Sequence, residues 1–176
     1  METLKTIFDR RSIRKYTGDT VDREKLLTLA KAGMAAPSSQ DTRHFRFVLV
    51  DDSAVIDQLL EGLPYSKMLE TAKHAVIVAS DLSVAYGGFE IDYWLQDCAA
   101  AAENILLAAK DQGLGTCWTG VHPRDERVKH VQDAVGLPEN IRPLCVIAVG
   151  VSAGVEKPRD KFDSQHVSWN QWESGE

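Results

Sequence analysis

Apolar residues recur along the chain in two rhythms, and the change from one to the other marks the elements. Leu4, Ile7 and Phe8 lie at helical spacing, and a second amphipathic helix is predicted from about Asp22 to Met34, with Leu26, Leu29, Ala30 and Gly33 on one face. Ala35-Ala36-Pro37-Ser38-Ser39 ends it, because a proline disfavours helical backbone in the residue before it and serines favour turns. Arg46 to Val50 reads as a strand, Ser53 as the cap of a short helix through Leu60, and His74 to Ala79 as a central strand. The longest helix is expected from roughly Ile91 to Gln112; its middle is small and apolar on nearly every side, and Gly113 is its stop. Leu114 to Trp118 gives a third strand. Pro123 opens a helix carrying Val128, Val131 and Val135 that Gly136 closes, and Leu144 to Val151 is a fourth strand.

This order mixes helices and strands without regular βαβ alternation, so the predicted class is α+β. A length of 176 residues suits a single domain over 1–176. After Gly154 the chain turns polar yet keeps Trp169 and Trp172, which fits an arm, about 155–176, laid over the body or over a partner. A helix as apolar as the one ending at Gln112 is hard to bury inside so small a monomer. A homodimer whose second subunit covers it is one reading, and a helix wrapped by its own domain is the other.

Charge and cysteine content narrow the setting. A formal net charge of -6 argues against nonspecific binding to nucleic acid or to an anionic membrane, both of which recruit positive field. Cys98, Cys117 and Cys145 are odd in number and sit in apolar or helical stretches, as buried free thiols of a reducing compartment do. With no apolar leader pattern in the first residues and no run of 18 apolar residues, a cytoplasmic location is expected.

Against this acidic background, Arg10-Arg11-Ser12-Ile13-Arg14 concentrates three guanidinium groups and a hydroxyl, a donor set suited to phosphate. The plainer reading is a solvated basic turn paired with Asp9 and Asp19. Pro37-Ser38-Ser39 could meet a planar polar ligand or be only a turn, and Lys157-Pro158-Arg159 could grip an anion or be a charged linker. The histidines at 44, 74, 122, 130 and 166 follow no metal-ligand spacing, and His74, which opens an apolar strand, reads as structural. No serine-hydrolase elbow, phosphate loop or dinucleotide fingerprint is present, so a Rossmann-type nicotinamide site is not expected.

Taken in order, Arg10-Arg11-Ser12-Ile13-Arg14-Lys15-Tyr16, Ala36-Pro37-Ser38-Ser39, Gly113 to Gly120, Gly136-Leu137-Pro138 and Lys157-Pro158-Arg159 resemble the FMN-dependent nitroreductase family across nearly the whole chain. The resemblance implies a nitroreductase-like α+β fold with a central mixed or antiparallel sheet flanked by helices. It also implies a homodimer built on a long central interface helix, with FMN bound between the subunits. By position, Arg10 and Ser12 would hold the phosphate with Arg11 in the same loop, and Arg14 would approach the N1 and C2 edge of the ring. Pro37, Ser38 and Ser39 would come from the other subunit, Trp118, Thr119 and Gly120 would flank the opposite face, and Lys157 and Arg159 would close over the phosphate. Lys67 is a further flavin contact by the same resemblance. A fixed guanidinium near N1 favours the reduced, anionic ring and raises its potential.

The activity so implied is ping-pong transfer from NAD(P)H to nitroaromatics, quinones or related acceptors, with no general acid or nucleophile demanded of the protein. Specialised flavin chemistry such as dehalogenation or dehydrogenation, or flavin binding without turnover, are the rivals. The chain departs from the family pattern at Asp41, Arg43, His44 and Phe45, where an asparagine followed by Gln-Pro-Trp is usual. Arg43 is expected to compensate by pairing with Asp41.

Overall fold

The computed structural model describes residues 3–154, 157 and 159–172. Pro158 and the outer parts of the C-terminal arm, 155–156 and 173–176, lie outside the described residues. Four strands form one antiparallel sheet in the order β1-β2-β4-β3: β1 (Phe45–Val50), β2 (His74–Asp81), β3 (Gly115–Gly120) and β4 (Ile141–Gly150). The register places Val48 opposite Ile77, Ile77 opposite Val146, and Thr119 opposite Val146. All eight positions of β2 are buried, because it is an inner strand covered on both faces by helices. An alternating pattern is therefore absent from its sequence, as befits a strand with no solvated face.

Helices α2 (Arg23–Met34) and α5 (Tyr93–Asp111) cover one face, where Val76, Val78, Cys145 and Ile147 meet Leu26, Leu29, Cys98 and Ile105. Helices α3 (Ser53–Gly62), α4 (Leu69–Ala72) and α6 (Asp125–Val135) serve the other, where Ala75, Ile77, Val146 and Ala148 meet Leu59, Leu69 and Val131. The short α1 (Thr3–Asp9) rests on α5. This is the expected α+β class, and the three cysteines are buried free thiols. His74 is structural as well: its Nε2 accepts from the Val21 amide (3.3 Å) and its Nδ1 faces the Ala72 carbonyl (3.1 Å).

Several ends differ from the sequence expectation, each for a local reason. Asp52 rather than Ser53 caps α3, its carboxylate accepting the Ala54 amide at 2.8 Å, and the helix runs on to Gly62. Pro123 lies in the turn before α6 instead of opening the helix, which begins at Asp125. β4 starts at Ile141, three residues early, because the ladder tolerates Pro143 beside a register shift that leaves Leu144 out of the pairing. β1 starts at Phe45, β2 extends to Asp81, and β3 is displaced to Gly115–Gly120. Helix α5 begins at Tyr93 and is not buried all round within one chain: Gln96, Ala99 and Glu103 form an outward stripe, with Ala100 and Leu107 half-buried beside it.

The fold also fixes the arginine-rich segment. Ser12 bridges to Thr116 in parallel, with the Ile13 amide donating to the Thr116 carbonyl at 2.8 Å. A few residues on, the Thr17 amide donates to Val151 O (3.0 Å) and the Ala153 amide to Lys15 O (3.0 Å). Gly115 makes this approach possible, since a Cβ there would lie 2.9 Å from Ile13 Cγ2. Residues 12–17 are thus strapped across the end of β3 and β4, with Arg14 carried to the same place as Trp118.

Candidate functional site

Arg14, Lys67 and Trp118 come from three separate segments and line one cleft of about 810 Å³. Its floor and walls include Tyr16, Cys117, Tyr65 and Met68. Tyr16 is buried and donates its hydroxyl proton to Ile13 O at 2.6 Å, so it braces the strap rather than facing a ligand. Burial also pushes its phenol well above the usual tyrosine range. Cys117 is buried too, and burial raises its thiol pKa against the smaller opposing influence of Arg14 and Arg10. A protonated thiol is a poor nucleophile, so the cleft offers cations and an aromatic wall but no activated nucleophile.

Two residues at the rim were not singled out from sequence. Arg127 of α6 stands over the Tyr65 ring, 5.6 Å from its centroid, and donates to Gly120 O at 3.3 Å. The bridge joins the α3–α4 connection to the end of β3, a contact no local spacing could reveal. Of the other β3 residues predicted for the site, Thr119 is buried and Gly120 exposed, and neither lines the cleft.

The remaining arginines lie in a neighbouring groove of about 790 Å³ between α1 and the arm, lined by Ile7, Phe8, Arg10, Arg11, Arg159 and Phe162. Asp9 and Asp19, the partners a plain basic turn would use, are bound by Lys5 (2.5 Å) and by the Thr17 hydroxyl (2.7 Å). Arg10 instead approaches Glu103 of α5 at 3.4 Å. Arg11 is committed to the backbone: it donates to Phe8 O (2.9 Å), Arg10 O (2.5 Å), Lys157 O (3.2 Å) and Arg159 O (3.2 Å). It therefore ties the arm to the arginine segment; Lys157 and Arg159 are exposed, and Arg159 lines the same groove as Arg10. Ser12 is exposed and lines neither hollow.

The turn Pro37-Ser38-Ser39 lines neither hollow of its own chain. Ser38 Oγ accepts the Arg43 amide (3.0 Å), and Ser39 donates both its amide (2.8 Å) and its hydroxyl (3.2 Å) to Asp97 of α5. The pairing expected between Arg43 and Asp41 is present at 2.5 and 2.9 Å, and it holds the Asp41 carboxyl below its usual range. His44, expected only as a departure, is fully buried and reaches the same Asp97 with Nε2 (2.9 Å).

The donor set fits a phosphorylated flavin: clustered guanidinium and ammonium groups suit an anion, and a cleft walled by Trp118 and Met68 suits a planar ring. A helix-covered antiparallel sheet carrying such a cationic, aromatic cleft defines an α+β protein with a candidate cofactor site. Comparison with known proteins makes the class specific. The Nitroreductase family model matches residues 7–63 and 59–151. A provisionally named NADH dehydrogenase/NAD(P)H nitroreductase of Methanothermobacter thermautotrophicus is 38% identical over 173 residues, spanning 98% of this chain and 88% of that one. A crystal structure of a protein with the same provisional name from Bacteroides thetaiotaomicron superposes with a TM-score of 0.90 at 44% identity, over 97% of this chain and 98% of the other. An FMN-dependent nitroreductase of Clostridium difficile superposes with a TM-score of 0.86 at 29% identity, over 96% and 99% of the two chains. The chain belongs to the Nitroreductase family.

Proposed function

We propose that this chain is an NAD(P)H-dependent oxidoreductase that binds FMN and reduces nitroaromatics, quinones or related acceptors. Bound FMN would supply the redox chemistry, taking a hydride from NAD(P)H and returning reducing equivalents to the acceptor in ping-pong order. The observation that carries the reading is the convergence of Arg14, Lys67 and Trp118 on one cleft in a chain of net charge -6. Arg10 and Ser12 would hold the phosphate, with Lys157 and Arg159 closing from the arm. Arg11 would act differently from its neighbours, since its donors already hold the arm carbonyls.

Arg14, which lines the cleft, would put a fixed positive charge beside the ring and favour gain of negative charge there. Trp118 would shield one ring face from water, with Thr119 and Gly120 contributing backbone at the end of β3. A homodimer supports the rest of the site. The outward stripe of α5 is open to a second subunit, and Pro37, Ser38 and Ser39 would reach the flavin of the partner from a turn that lines no hollow of its own subunit. The single domain over 1–176 would then contribute to two sites, one at each end of its central helix.

Replacing Arg10 and Arg14 together by alanine tests the assignment. Wild-type protein should purify with bound FMN, and the double variant should lose at least about tenfold in FMN affinity while remaining dimeric. Unchanged flavin content in a folded double variant would overturn it.

A further inference from the structure

The turn that carries Pro37, Ser38 and Ser39 continues through a backbone that ordinary side chains disfavour. Gln40, Asp41 and Arg43 all have positive φ, at 53°, 53° and 50°, and none is glycine. Such a conformation persists only where its surroundings over-determine it. The surroundings here are a buried polar chain. Asp97, projecting from α5 with a side chain 11% exposed, receives the Ser39 amide and hydroxyl on one side and His44 Nε2 on the other. His44 is 0% exposed, and its Nδ1 lies 2.7 Å from the hydroxyl of Ser80 in β2.

The neutral-imidazole arrangement of hydrogens satisfies every member. In it Ser80 donates to Nδ1, Nε2–H donates to Asp97, and the carboxylate accepts from three donors. The order of groups is that of a serine-hydrolase triad, but Ser80 is 0% exposed in the central sheet, so no substrate can meet its oxygen. The imidazole orients a carboxylate, and the carboxylate orients a turn.

We infer that Asp97, backed by His44 and Ser80, is the positioning network that holds the Pro37-Ser38-Ser39 turn, at the head of the strained segment 40–43, in the shape that contacts the flavin. The inference rests on the FMN reading above. It also explains the departure from the family's Gln-Pro-Trp pattern at this turn. A proline at position 44 could not donate to Asp97, whereas histidine can. The unusual turn and the histidine form one unit, with the Arg43–Asp41 pair closing its exposed end.

The test compares His44→Leu, which removes the donor at similar size, with His44→Gln, whose side-chain amide can still donate to Asp97. FMN affinity is measured by fluorescence titration, the visible spectrum of bound FMN is recorded, and amide exchange is followed at residues 38–43. H44L should weaken FMN binding about tenfold, alter the flavin absorption bands and speed exchange at Ser39, and H44Q should restore all of them to within about threefold. A folded H44L protein with wild-type affinity and spectrum overturns the inference. Should H44L not fold, Ser80→Ala takes its place, with a smaller loss of FMN affinity and faster Ser39 exchange expected, and no change in either overturning the inference. Wild-type protein that binds no FMN would instead sink the flavin reading itself, a result separate from any difference between variants.

Discussion

Gly150 lacks a side chain because two other segments occupy the space one would fill. A Cβ there would lie 2.8 Å from Tyr16 Cδ1, 3.0 Å from Ala72 O and 3.2 Å from Ala72 Cα. The contacts to Ala72 are backbone and cannot swing aside, so Gly150→Ala should cost about 1–3 kcal/mol through overpacking. Urea denaturation would show this as a lower midpoint at unchanged slope. The cost should also reach the site, because Tyr16 braces the strap that carries Arg14. At this scale the sequence speaks through residue type alone. It marks Arg10, Ser12 and Arg14 as chemically apt for phosphate and His74 as structural, the latter borne out by its two backbone partners. It could not pair His44 with Asp97, 53 positions apart, since nothing in either neighbourhood announces the other.

Helix α5 is the element on which the fold and the site both depend. Its inner face of Cys98, Ala101, Ala102, Ile105 and Ala109 is small enough to lie close against the sheet, while Asp97 and Glu103 reach out to the turn and to Arg10. The stripe of Gln96, Ala99 and Glu103 is the part that a second subunit would cover. Ala99→Arg should therefore give monomers in analytical ultracentrifugation at micromolar concentration, with unchanged helical circular dichroism. A variant that stays dimeric would remove this stripe from the interface. Long periodic elements such as α2 and α5 were legible because periodicity accumulates over several turns. The four-residue α4 was not legible, being too short to show a period, and β4 was cut short because Arg142 and Pro143 interrupt its apolar run. Those boundaries are set by tertiary pairing: β4 keeps its first residues because β2 is there to receive them.

For the molecule as a whole, an inner sheet with helices on both faces provides a rigid platform, and the groups of the candidate site are laid over one end of it. The strap of residues 12–17 crosses β3 and β4, and Arg11 ties the arm back to the strap through Lys157 and Arg159. Cationic groups distant in the chain thus gather in a molecule of net charge -6. The motif order in the sequence pointed to this site, but the division of labour among its arginines became visible only in three dimensions. Arg10 reaches α5, Arg11 holds the arm, and Arg14 faces the cleft. Among the described residues no helix is long and apolar enough to cross a membrane.

The central claim is that this cleft holds FMN and passes electrons from NAD(P)H to an acceptor. Its most direct test is the visible spectrum of the purified protein under anaerobic conditions, recorded before and after adding NADH or NADPH and again after adding a nitroaromatic or quinone. The account predicts an oxidised-flavin spectrum that at least one nicotinamide bleaches and the acceptor restores. A flavin spectrum that neither nicotinamide changes, or protein with no flavin after incubation with FMN, would contradict it.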